Sequence, residues 1–144
     1  EGKKAIYVPA SEGKLEGTYC PDFWCYPMFS SISESMGRPL PVGTMGCLIQ
    51  EKHPIFESFP TEYYSTPRWF EPVMHSHCEN LNGTDIEPLV WMIDNPHRAD
   101  RYGIIYEQET DSGKILVCTV RLWEIADKVE AKWLSRAIAE YLYK

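Results

Sequence analysis

No stretch of this 144-residue sequence approaches the 18 consecutive apolar residues of a membrane-spanning helix, so no membrane partner is expected. Phosphate cradles are missing too. There is no GxGxxG and no GxxxxGK(S/T), which sets aside a nucleotide cofactor held in those ways. Basic residues are sparse: 14 Lys and Arg stand against 21 Asp and Glu, a net charge of −7, and no basic run exceeds a pair. A nucleic-acid interface needs clustered cations, so none is expected here. The 5 cysteines form no CxxC pair and are odd in number, a thin basis for a disulfide framework, although one bridge is left open.

Rings and prolines are what the sequence has in plenty. Aromatics make up 13% of the chain and prolines number 11, which limits regular structure and implies semi-rigid connections that carry rings. The hydrophobic fraction of 44% is ordinary for a globular protein, and a chain of this length fits one domain, 1–144, with a real core. The opening EGKKAIYVP heads at once into a strand and reads as the interior of a longer polypeptide, which leaves localisation open.

Along the chain, Lys4–Val8 reads as a buried strand closed by Pro9, and SEGKLEGTY as loop. Met28, Phe29, Ile32 and Met36 make one stripe of a helix over 26–36, with Pro27 in its first turn and Gly37-Arg38-Pro39 as its stop. A short strand is expected within Gly43–Gln50, a turn or single helical turn in HPIFESFP, and another short strand in YYSTPRWFEPVM. Leu89–Ile93, Tyr102–Gln108 and Lys114–Val120 read as strands, the last two joined by a hairpin-type loop over 110–113. Asp127 and Glu130 offer a capping box for a C-terminal helix whose apolar face takes Val129, Trp133, Leu134, Ala137, Ile138, Tyr141 and Leu142. Continuous apolar strands beside striped helices favour an α/β fold with a mostly buried sheet.

Four kinds of chemistry can be weighed on these residues. Cys20 and Cys25, with His75, His77 and Cys78 downstream, are atom types that zinc accepts, but the H-x-H-C half lacks the spacing that brings two ligands to one ion. GTMGCLI resembles a nucleophile elbow around Cys47, yet Leu48 and Ile49 put bulk where the turn must be tight. A small thiol or zinc hydrolase is the function these features would serve; buried thiols, Cys47 and Cys118 among them, are the simpler account. The carboxylates Asp22, Glu34, Glu62, Glu71, Asp85, Glu87 and Asp94 are candidates for glycosidic pairs, with Asp94-Asn95-Pro96 better read as an Asx-type turn. Last, Trp24, Tyr26, Tyr63, Tyr64, Trp69 and Phe70 lie in proline-bounded loops. Among them Trp24, Tyr64, Trp69 and Phe70 would form the stacking face of a carbohydrate-binding module. The competing account is that these rings cap the sheet or pack on a neighbouring domain.

PDFWCYPMFSSISESMG, RPLPVGTMGCLIQEKHPIFESFPTEYYS, VWMIDNPHRADRYGIIYE and GKILVCT together resemble the C-terminal region of bacterial, beta-galactosidase-like proteins of glycoside hydrolase family 2. The resemblance runs from about Lys4 to Tyr143, and its specific blocks are D-F-W-x-Y-P-M-F and H-P-x-F-x-x-F-P-T-E. It implies a non-catalytic accessory domain of a periplasmic or extracellular glycosidase whose catalytic carboxylates belong to a separate barrel. It also implies a glutamine-amidotransferase-like or flavodoxin-like fold, a three-layer sandwich on a mostly parallel sheet. On that footing the chain itself carries no catalytic residue, metal or cofactor. Its partners would be other domains of the same polypeptide, with carbohydrate as a further ligand, and the rings of CPDFWCYPMF would fill core and seam.

Overall fold

The computed structural model describes residues 3–8, 18–19, 35, 44–94 and 99–144. Within them seven strands form one sheet: β1 (Lys3–Tyr7), β2 (Thr18–Tyr19), β3 (Thr44–Ile49), β4 (Cys78–Asn80), β5 (Pro88–Asp94), β6 (Arg101–Thr110) and β7 (Gly113–Cys118). Two 3-10 turns, Pro54–Phe56 and Pro67–Trp69, lead into a short helix α1 (Phe70–Met74), and the chain closes on helix α2 (Val129–Tyr143). Each 3-10 turn begins at a proline, where the fixed φ suits a first turn and the missing N–H costs nothing.

The expected mostly parallel, three-layer, flavodoxin-like sandwich is overturned. Among the described strands only β1 and β7 run parallel; the other pairings are antiparallel. The sequence pattern misled for a physical reason. LVWMI is an unbroken apolar run, which suggests burial on both faces, but Trp91 stands out from the sheet while Val90 and Met92 point into the core. The loop over 110–113 also makes β6 and β7 a local hairpin, and that connection is antiparallel by geometry.

Strand β6 is the spine of the sheet. Its pairing with β5 runs from Arg101 to Tyr106 and takes one edge, so β4, opposite Tyr102 and Gly103, lies on the other. That second edge is shared, because β7 pairs with β6 from Ile105 to Thr110. Thr119 sits at the fork. Its amide donates to the Ile104 carbonyl at 3.0 Å, and its hydroxyl, 2.5 Å from the His77 carbonyl, spends its one proton there. Beyond the fork β2 pairs with β4 and β1 with β7; on the far side β3 pairs with β5.

One face of the sheet carries the main core. Ile49, Val90, Met92, Tyr102, Ile105, Leu116 and Cys118 meet Ile55, Phe56, Phe59 and Trp69 from the connections and Ala131, Leu134, Ala137 and Ile138 from α2. Each large apolar side chain buried this way contributes about 1.5–3 kcal/mol. The buried stripe of α2 is rotated from the expected one: Val129 and Trp133 are exposed, and Ala131 takes an inward position. The capping box is not formed either. Lys128 is the N-cap and no side chain caps the helix, although Glu130 in the first turn suits the helix dipole. A smaller cluster of Leu81, Tyr106 and Val117 lies on the opposite face.

Strands near Lys4–Val8, Gly43–Gln50, Leu89–Ile93, Tyr102–Gln108 and Lys114–Val120 are present as expected, as is the single turn in HPIFESFP. YYSTPRWFEPVM is helical from Pro67 onward rather than a strand, with one bridge at Tyr64. Thr18–Tyr19 pairs within what reads as loop. Of the helix expected over 26–36, only Ser35 lies within the described residues, and it is helical.

Candidate functional site

Residues directly opposite one another on antiparallel strands project to the same face. Tyr64 bridges to Leu48, Leu48 lies opposite Trp91, Trp91 opposite Gly103, and Gly103 opposite Glu79. These five positions form one row across the face of the sheet that turns away from the main core. Three large apolar side chains in it are exposed: Tyr64 at 48%, Leu48 at 39% and Trp91 at 38%. Tyr63 adds a further ring, edge-on to Tyr64 at 4.9 Å between centroids. With neighbouring strands about 4.8 Å apart, Tyr64 and Trp91 mark out a strip of about 10 Å. Large apolar groups gathered on one open surface favour contact with something else.

The row ends in a polar group. A Cβ on Gly103 would lie 2.7 Å from Leu81 Cδ1 and 3.1 Å from Tyr106 Cδ1, so glycine is what lets those side chains close over β6. The Tyr106 hydroxyl donates to Glu79 Oε2, and His77 Nε2 lies 3.8 Å from Glu79 Oε1. The His77 imidazole holds the Glu79 carboxyl below its ordinary range; burial pushes the other way, and the Tyr106 hydroxyl adds to the lowering.

A matching Glu–Tyr–His trio, joined by a lysine, sits on the core face, where α2 meets the sheet. The Tyr141 hydroxyl donates to Glu107 Oε1, Lys114 Nζ lies 3.2 Å from Glu107 Oε2, and His53 Nε2 lies 3.9 Å from the same oxygen. Burial raises the Glu107 carboxyl, but Tyr141, Lys114 and His53 outweigh it and the net shift is downward. Tyr141 is pushed up to about 12, by burial first and then by Glu107. Nearby, Ala5, Ile6, Leu122, Ile138 and Leu142 line an apolar groove of about 470 Å³ between β1 and α2.

The structure separates the proposed sugar platform. Tyr64 belongs to the exposed row, and Phe70 is 40% exposed at the start of α1. Trp69 is fully buried between Phe56 and Phe59, with its indole N–H donating to Thr61 Oγ1 at 2.8 Å, and offers no face for stacking. Trp24, Cys20, Cys25 and Tyr26 lie outside the described residues. Trp91, the ring that sequence reasoning missed, is hidden in LVWMI; only strand alternation around it would have turned it outward.

The thiol and metal constellations disperse. Cys47 follows a β-bulge, not an elbow: Gly46 has φ +89°, and a Cβ there would stand 2.9 Å from Ser65 Oγ, which accepts the Cys47 amide at 3.0 Å. Burial pushes the Cys47 thiol up and holds Cys118 at about 12, so neither is a thiolate at neutral pH. His75 accompanies Glu71, His77 accompanies Glu79, and Cys78 is buried in the main core. Among the described residues no three His, Cys, Asp or Glu side chains gather as metal ligands would. Asp94 is buried and accepts the Asp100 amide at 3.0 Å.

No curated protein matches the chain. A family model described as "Domain of unknown function (DUF8487)" matches residues 1–144, the whole length, and the chain belongs to that family.

Proposed function

We infer that this domain is a non-catalytic interaction module that packs its Tyr64–Leu48–Trp91 face against another part of a longer polypeptide. The resemblance to glycoside hydrolase family 2 proteins suggests the kind of parent: an enzyme acting on glycosidic bonds, which this domain would support without touching the scissile bond. The observation that carries the reading is the exposed row itself, three large apolar side chains aligned by strand register on the face away from the main core. The buried thiols support it as well, since neither Cys47 nor Cys118 is poised as a nucleophile.

Carbohydrate is the second reading, favoured by one feature: Tyr63, Tyr64 and Trp91 each pair a ring with a polar tip on an open surface. One experiment addresses both. Hydroxyl-radical footprinting of the full-length gene product and of the 144 residues alone compares oxidation of Tyr63, Tyr64 and Trp91. Protection in the longer protein supports docking, and equal oxidation overturns it. A tryptophan-fluorescence change with oligosaccharides that disappears in Trp91→Ala would move the assignment to carbohydrate.

A further inference from the structure

His53 stands at a joint between three elements. Its Nδ1 accepts the Ile55 amide at 3.3 Å and so caps the Pro54–Phe56 turn, whose Ile55 and Phe56 are buried in the main core. A ring nitrogen that accepts carries no proton, which places the proton of the neutral imidazole on Nε2. That nitrogen faces Glu107 of β6 at 3.9 Å. The ring also lies against Tyr141 of α2, with 5.4 Å between centroids and a tilt of 59°. Lys114 of β7 reaches the same Glu107 oxygen at 3.2 Å, and Tyr141 occupies the other. Further along the seam Lys144, which follows α2, pairs with Glu57, which follows the turn.

We propose that His53 is an acid-sensitive latch, holding the Pro54–Phe56 turn and the last turns of α2 on the sheet when neutral and releasing them when protonated. Protonation adds a hydrogen to Nδ1, so donor faces donor and the Ile55 amide loses its acceptor. Glu107, whose two oxygens also serve Lys114 and Tyr141, attracts the new charge but does not offset the burial of the ring. Burial holds the imidazole below its ordinary value of 6.5, Glu107 works against that, and Lys114 adds to the lowering. With the folded value below the unfolded one, the stabilisation is complete above 6.5 and is lost as pH falls toward the folded value.

The test is amide hydrogen exchange on the whole 144-residue chain at about pH 7.5 and about pH 5, corrected for intrinsic rates, across the window in which histidine titrates. Protection at Ile55 and over 138–143 is expected to fall about 5-fold or more relative to 103–106. His53→Asn supplies an acceptor oxygen that does not titrate, and Asn suits an N-cap, so this variant should keep its protection at both pH values. Equal protection at both pH values in the unaltered protein overturns the latch, as does an equal fall in His53→Asn. Should that variant fail to fold, the imidazole nitrogen shifts of the unaltered protein decide: a proton on Nε2 at neutral pH, with a second arriving as protection falls, supports the latch. A proton on Nδ1 at neutral pH overturns it.

Discussion

The two faces of the sheet carry the same trio of residue types and use them differently. On the core face Glu107 takes a hydroxyl from Tyr141, an ammonium from Lys114 and the approach of His53, and these partners arrive from α2, β7 and a 3-10 turn. On the outer face Glu79 takes a hydroxyl from Tyr106 and the approach of His77, both from within the sheet or its immediate extension. The first trio therefore ties layers together, and the second stiffens one layer beside an open surface. Burial follows the same division: Trp69 is sealed on the core face, whereas Trp91 is held in place with much of its ring uncovered. One face has found its covering inside the chain, and the other presents a finished surface without one among the described residues.

The largest expected effect tests the core face. Trp69→Ala should cost about 3–5 kcal/mol in urea unfolding, because it removes the ring wedged between Phe56 and Phe59 and the indole N–H that donates to the Thr61 hydroxyl. A loss below about 1 kcal/mol would erase the contrast between the faces. Next comes Gly103→Ala, which forces a methyl into Leu81 and Tyr106 and should cost about 1–3 kcal/mol, read by the same method. A neutral result would mean those side chains shift without loss.

Glu79→Gln sharpens the comparison through pH. The Glu79 carboxyl is lowered in the folded state, so its stabilisation is present above the ordinary value of 4.5 and lost as pH falls through the folded value. The variant should be less stable than the unaltered protein at neutral pH, by about 1 kcal/mol, and the two should converge in acid. A gap that persists at low pH would trace the loss to packing rather than charge. The smallest effect belongs to Tyr63→Ala: at 61% exposure its removal should leave unfolding within about 0.5 kcal/mol, as expected of a surface ring. A larger loss would show that the Tyr63–Tyr64 pair belongs to the core after all.

Much of the fold is legible in local chemistry. Proline at Pro54 marks the single turn in HPIFESFP, and the short loop after Thr110 dictates a hairpin, whereas Pro67 opens a 3-10 turn where a strand is expected. What stays hidden depends on partners far away in sequence. LVWMI cannot reveal which of its side chains faces out until Leu48 and Gly103 are set beside Trp91. Likewise β4, three residues long, has no pattern of its own and exists because Gly103 and Tyr102 offer an edge. Trp69 and Tyr64 both read as loop rings, yet one is core and the other surface. The difference comes from Phe56, Phe59 and Thr61 closing around the first. The Glu79 and Glu107 trios were equally invisible, since 27 residues separate Glu79 from Tyr106 and 34 separate Glu107 from Tyr141.

The divided edge of β6 makes the sheet a branched object with one trunk and two boughs. The β7–β1 bough is registered on residues 105–110 and the β4–β2 bough on 102–103, so neither takes its alignment from the other. Lengthening or grafting onto one bough leaves the numbering of the other untouched, and the graft junction to keep is the Thr119 hydroxyl on the His77 carbonyl with the Arg121 amide on the His75 carbonyl at 2.8 Å.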